Sequence, residues 1–156
     1  MPTFISTSGH GYLKVTLNQL LKAMENGMKP TGYSMVSRAG NYALLEEDVD
    51  AGRYLDAMDI PLEEYRAYRT QYQEGINDQK YKQIPQSIEA LEEWIETVSA
   101  RKDLPPGTIV EIDDYPSKTW EVLSRHKYRR RVEYQLRGVG GARTGYANAN
   151  RITKIY

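Results

Sequence analysis

Three observations predict an α+β fold. Residues 17–24 and 88–98 carry apolar side chains at helical spacing. Residues 104–156 read as short strands separated by Gly, Pro and Asn turns. The pair Pro105-Pro106 stands between the last helical pattern and those strands, where two prolines stop a helix. The expected organisation is a small mixed α/β domain over residues 1–75, a loop and connecting amphipathic helix over 76–103, and a small closed β-barrel over 104–156.

Thr3-Phe4-Ile5-Ser6-Thr7 and Tyr12-Leu13-Lys14-Val15 flank Ser8-Gly9-His10-Gly11 and predict a hairpin, the two Gly allowing positive φ in the turn. Thr16 reads as a helix N-cap with Gln19 completing a capping box. Leu17, Leu20, Leu21 and Met24 then form one apolar face, and Asn26-Gly27 ends the helix. Tyr33–Ser37 and Tyr42–Glu46 predict a second hairpin. Asp48 or Asp50 is the expected cap of a short helix through Asp56. A further helix is expected to start at Asp59-Ile60-Pro61, with Pro near its first turn, and to run to about Glu74, with Leu62, Tyr65, Tyr68 (or Arg69) and Tyr72 as its face. Residues 77–85 read as a polar loop. The helix over 85–100 is marked by Ile88, Leu91, Ile95 and Val98, with Trp94 beside them and Arg101 and Lys102 complementing its dipole.

In the last third, Thr108–Ile112, Thr119–Leu123, Arg131–Leu136, Gly145–Ala147 and Ile152–Ile155 are the expected strands. A loop is expected over 113–117, a basic turn over 125–130 and a Gly-rich loop over 138–145. This Pro-Pro-Gly entry, Trp strand, basic hairpin and terminal Asn148-Ala149-Asn150-Arg151-Ile152 turn resemble an SH3-like barrel, in which a 3₁₀ turn precedes the last strand. The resemblance implies an SH3-like β-barrel fold for 104–156. Such barrels bind peptides, nucleic acids or other domains, so the fold does not fix a function.

The stretch Phe4–Leu13, with its Thr7-x-x-His10-Gly11 turn, and the later Glu46-Glu47-Asp48 resemble small uncharacterised proteins encoded by bacteriophages and plasmids. That resemblance implies an origin and no mechanism. It favours host-interaction roles, among them inhibition of bacterial defence systems.

Composition narrows the function classes. The 156 residues are 40% hydrophobic and 27% charged, which suits an ordered globular chain. Thirteen Tyr stand against one Phe, and Tyr suits half-buried surfaces and recognition faces alike. Absence of Cys excludes disulfides, thiolate metal sites and Cys nucleophiles. With no long apolar run and no signal-like start, no membrane association is expected and a cytoplasmic location follows, that of the host cell if the gene is phage-borne. The net charge is zero, yet residues 1–100 hold nine Lys+Arg against fifteen Asp+Glu, and residues 101–156 hold twelve against six. Such a division fits either a charged partner or mutual attraction of the halves.

Three constellations carry candidate chemistry. His10 with Glu47 and Asp48 has the residue types of an acid/base pair or divalent-metal site, but no established metal spacing. The alternative is a turn histidine beside helix-capping carboxylates. Arg125, Lys127, Tyr128, Arg129, Arg130 and Arg131 form a basic hairpin with an aromatic, suited to tracking a nucleic-acid backbone and stacking a base; Lys118, Arg137, Arg143, Arg151 and Lys154 are candidates to extend it. Glu46, Glu47, Asp48 and Asp50 open a run of eight acids in nineteen residues, able to occupy a nucleic-acid groove on another protein. Tyr65, Tyr68 and Tyr72 are the candidate aromatic contacts beside it. The Gly-rich loop lacks the Lys-Ser/Thr end of a phosphate cradle, and no cofactor is expected.

The leading expectation is a non-enzymatic binding protein of phage or mobile-element type. It would bind and inhibit a host protein or protein–nucleic acid complex, such as a nucleic-acid-handling defence complex. One alternative is a protein that binds DNA or RNA directly through the basic hairpin. The other is a small metal-dependent hydrolase around His10. Oligomeric state is left open.

Overall fold

A computed structural model describes residues 2–115 and 117–156. Pro116, inside the expected 113–117 loop, lies outside the described residues. The chain is α+β and forms two compact units, Met1–Glu92 and Glu93–Tyr156.

The first unit is built on β1 (Thr3–Ser6), β2 (Gly11–Thr16), α1 (Leu17–Glu25), β3 (Met35–Ser37), β4 (Tyr42–Glu46), α2 (Asp50–Ala57), α3 (Leu62–Arg66), β5 (Thr70–Tyr72) and β6 (Tyr81–Gln83). Its six-stranded sheet has the order β5-β1-β2-β4-β3-β6. Strands β2 and β4 sit in the middle, in a register that sets Leu13 against Leu45 and Val15 against Ala43. Both are buried along most of their length. Helix α1 starts at the expected capping box, in which Thr16 and Gln19 each bond the other's backbone N–H. It buries Leu17, Leu20, Ala23 and Met24 and ends at Asn26, with Gly27 at φ +102°.

Three expectations fail in this unit. The helix expected over 61–74 is only the five residues of α3, and its last part is β5. Thr70–Tyr72 pairs in parallel with β1, and the Phe4 N–H donates to the Arg69 carbonyl while the Gln73 N–H donates to that of Ser6. Sheet pairing thus overrides a periodicity that suited a helix, and the Tyr stripe is broken. The polar loop expected over 77–85 contains β6, which pairs with β3 through Tyr81 opposite Ser37. Helix α2 is capped by neither Asp48 nor Asp50; its N-cap is Val49, without a side-chain bond. Asp50 is fully buried instead and accepts from the Thr31 N–H (3.0 Å), the Thr31 hydroxyl (2.7 Å) and the Ser34 hydroxyl. A buried carboxylate needs such donors.

A chain of polar rings ties the far strands of this sheet. The Tyr42 and Tyr81 hydroxyls are 2.8 Å apart and the Gln73 amide donates to Tyr81 at 2.6 Å. Burial, then the Tyr42 hydrogen bond, pushes the Tyr81 hydroxyl up to about 12.

The second unit begins inside α4 (Ile88–Ala100) and continues with β7 (Ile109–Ile112), β8 (Trp120–Lys127), β9 (Val132–Gly138), β10 (Thr144–Asn148), a 3₁₀ turn (Ala149–Arg151) and β11 (Ile152–Ile155). All neighbours are antiparallel, in the order β10-β9-β8-β7-β11. This is an open sheet, where a closed barrel was expected: β10 and β11 are its edges, and no pairing joins them among the described residues. A single 3₁₀ turn separates them and carries β11 across to β7. The core gathers Val110, Ile112, Trp120, Val122, Tyr134, Leu136 and Ile152. Strand β8 runs through Lys127, so Arg125, His126 and Lys127 stand in a strand, where a turn was expected.

Fully buried Tyr134 fixes this unit to the helix end. Its hydroxyl donates to the Arg101 carbonyl (2.8 Å) and accepts from the Leu104 N–H (2.9 Å). Arg101 is 1% exposed, lies over the Trp94 ring at 5.4 Å and donates to the Asn150 carbonyl at 3.3 Å. Burial lowers its guanidinium to about 10, which leaves it charged at neutral pH.

Two outcomes follow. Tyr134→Phe leaves both buried backbone groups without that hydroxyl, so urea unfolding monitored by Trp fluorescence should show a loss of about 2 kcal/mol. Tyr81 ionises near 10 when unfolded and about 12 when folded, so the folded state holds more protons between those values. Stability therefore falls as pH rises from 10 to 12, by on the order of 2 kcal/mol from this residue. Tyr81→Phe should flatten that alkaline slope in a stability-against-pH titration.

Candidate functional site

The β1–β2 turn is held by Thr7. Its hydroxyl accepts from the Gly9 N–H (3.3 Å) and the His10 N–H (2.9 Å) and donates to the His10 carbonyl (2.8 Å). The His10 imidazole is exposed. Neither Gly9 nor Gly11 has positive φ. At Gly11 the constraint is space: a Cβ there would meet the Glu47 carboxylate and the Phe4 ring, so those side chains would have to shift. Glu47 accepts from the Gly11 N–H at 3.1 Å, and its own N–H donates to the Gly11 carbonyl at 3.0 Å.

The sheet thus brings the His10 turn beside Glu47 through the backbone. The Asp48 N–H turns back to the Glu46 carboxylate. Among the described residues no group of three or more His, Asp or Glu is gathered to hold a metal ion, so His10, Glu47 and Asp48 do not make a ligand set. A cleft of about 430 Å³ lies between this turn and residues 72–76, where the Tyr72 hydroxyl donates to Glu74 at 3.1 Å. Burial, then the charges of Glu46 and Glu47, pushes the Tyr12 hydroxyl up.

The acidic and aromatic candidates separate by burial. Glu47 and Asp48 are exposed, Glu46 is half-buried and Asp50 is interior. Tyr68 is buried and Tyr65 is half-buried, packed edge-on against Phe4 (6.4 Å) and Tyr68 (5.8 Å). Of the three tyrosines only Tyr72, 58% exposed, offers a surface.

In the second unit most cations have local partners. Arg125 pairs with Asp103 (3.1 Å) and donates to the Lys102 carbonyl; Arg137 pairs with Glu121 (3.0 Å); Arg151 pairs with Asp113 (3.0 Å) and Asp114. Lys118 and Arg143 lie against the Tyr115 ring, and Lys154 against Tyr156. Exposed ion pairs of this kind add little stability, but they leave Arg125, Arg137 and Arg151 partly neutralised. The end of the β8–β9 hairpin differs. Its turn is closed by the Tyr128 N–H donating to the Arg131 carbonyl at 2.8 Å. Lys127, Arg129, Arg130 and Arg131 are all exposed, and none is in an ion pair among the described residues. Arg131 stacks over the Tyr128 ring at 4.8 Å, and that ring is 47% exposed.

The sequence reading missed the surface behind this tip. His126 lies 6.0 Å from the ring of Tyr146, which is 60% exposed. The pairing of β10 with β9 sets Tyr146 opposite Gln135, and β8 sets His126 opposite Glu133. The signal was the alternation Val132, Tyr134, Leu136, which turns Glu133 and Gln135 outward. The strand register was needed to place Tyr146 beside them.

The Thr7 hydroxyl, and not the imidazole, holds the first turn. Thr7→Val should cost about 1 kcal/mol in chemical denaturation, whereas His10→Ala should stay within about 0.5 kcal/mol of the parent.

Comparison with protein-family models, curated proteins and solved structures returns no match for this chain.

Proposed function

We propose that this chain is a non-enzymatic binding protein whose recognition element is the tip of the β8–β9 hairpin, and that its partner is a nucleic acid. One observation carries the reading: Lys127, Arg129, Arg130 and Arg131 project together without ion pairs among the described residues, with Arg131 stacked on exposed Tyr128. Four cations at one hairpin tip favour a chain of phosphates, through release of condensed counterions. The stacked Tyr128 adds a flat face of the kind on which a base rests. The order β11-β7-β8-β9-β10, with a 3₁₀ turn before the last strand, supports an SH3-like reading of the second unit. That architecture is compatible with nucleic-acid binding without requiring it.

A second reading is masking of a host complex that handles nucleic acids, in keeping with the resemblance to phage and plasmid proteins. It is supported by exposed Glu47 and Asp48 and by Tyr72 in the first unit. A host partner recovered with the chain after nuclease treatment, and lost on Glu47→Lys with Asp48→Lys, would favour it.

The nucleic-acid reading predicts anisotropy-detected binding to labelled oligonucleotides that weakens steeply with salt. Arg129→Ala with Arg130→Ala should reduce the slope of log K against log salt by about 1 to 2. Circular dichroism should remain that of the parent. Absence of binding to single- and double-stranded DNA and RNA at low salt overturns the reading.

A further inference from the structure

The outer face of the β8–β9–β10 sheet has a composition that core packing does not explain. Val132, Tyr134 and Leu136 of β9 face the core, so Glu133, Gln135 and Arg137 face outward. The register sets Ser124 and Tyr146 on either side of Gln135. The Ser124 hydroxyl is 2.9 Å from His126 Nε2 and donates to the Gln135 carbonyl oxygen at 3.3 Å. That hydroxyl holds the imidazole in place, and the imidazole supports the Tyr146 ring at 6.0 Å and 58°. Among the described residues the Gln135 amide N–H₂ has no hydrogen-bond acceptor. The result is a propped, mostly exposed aromatic ring opposite Gln135, which lies four residues along β9 from Arg131 at the cationic turn.

Resting on the nucleic-acid reading above, we propose that this face is a stacking platform for an unpaired base, which makes single-stranded nucleic acid the preferred ligand over duplex. Duplex bases are stacked on one another and present only their edges, so a lone ring cannot reach their flat faces. A single strand offers those faces freely. The charges on the surface agree with this arrangement. Arg137 is paired with Glu121, and Glu133 is a carboxylate beside the platform, opposite His126 and between Gln135 and the tip. Phosphates are repelled from the platform and drawn to the Lys127–Arg131 tip, so the backbone follows the tip while a base lies on Tyr146. Gln135 then meets the polar edge of that base.

The test compares a fluorescein-labelled oligo-dT of about 15 nucleotides with a duplex of the same length, a span sufficient for one small binding site. Tyr146→Ala should weaken oligo-dT binding about tenfold or more and duplex binding less than twofold. Tyr146→Phe should bind as the parent does, and Tyr146→Leu, which keeps edge-strand bulk without a π face, should behave as the alanine variant. Arg129→Ala with Arg130→Ala should weaken both ligands. The inference is overturned if Tyr146→Ala and Tyr146→Leu bind oligo-dT like the parent, or if the parent binds duplex as tightly as single strand. In either case the hairpin reading survives. Failure of the parent to bind both ligands removes the hairpin reading and the platform with it.

Discussion

The second unit depends on one buried hydroxyl. Tyr134 sits in the middle of β9 with its ring in the core and its oxygen between the Arg101 carbonyl and the Leu104 N–H. A helix end leaves carbonyls without intrahelical partners, and a chain that turns from helix into Pro105-Pro106 leaves N–H groups exposed as well. One side chain answers both needs. Because it also sets the inward side of β9, it decides which residues of that strand face out. The core hydroxyl and the surface array of Glu133, Gln135 and Arg137 are two sides of the same alternation.

Where the positive charge is available follows from local pairing. The sequence places twelve basic residues after position 100, but carboxylates pair with Arg125, Arg137 and Arg151. Among the described residues no acid pairs with the hairpin tip. The end of the β8–β9 hairpin therefore gathers cations that have no ion pair among the described residues, while carboxylates offset Arg125, Arg137 and Arg151. In the first unit the acids divide in the same way: Asp50 is consumed inside by Thr31 and Ser34, while Glu47 and Asp48 remain outside.

Local signals were legible in the sequence and long-range ones were not. The capping box at Thr16, the stop at Gly27, the paired strands β3 and β4 and the turn before Ile152 all depend on neighbours a few residues away, and each is found where expected. Strand β5 exists because β1 pairs with it across more than sixty residues of sequence. No periodicity in Leu62–Tyr72 announces that. Strand β6 is likewise held by β3, with Tyr81 as its buried anchor. Closure of the last sheet was expected from strand count and turn chemistry, whereas the pairing depends on where a three-residue turn delivers β11. The basic hairpin was visible as a run of cations. Its separation into ion-paired Arg125 and, among the described residues, unpaired Arg129 and Arg130 required the positions of Asp103 and Lys102, and the Tyr146 platform required register.

The aromatic residues are unevenly divided between the two units. Both Trp residues, Trp94 and Trp120, fall in Glu93–Tyr156, while eight of the thirteen Tyr, including the hydrogen-bonded Tyr42 and Tyr81, fall in Met1–Glu92. The molecule therefore carries its own pair of optical labels. Indole emission reports on the second unit alone, and the near-ultraviolet signal of buried phenols is weighted toward the first. Whether the two units melt as one body or in sequence is written in the difference between those two spectra, with no dye attached and no residue replaced.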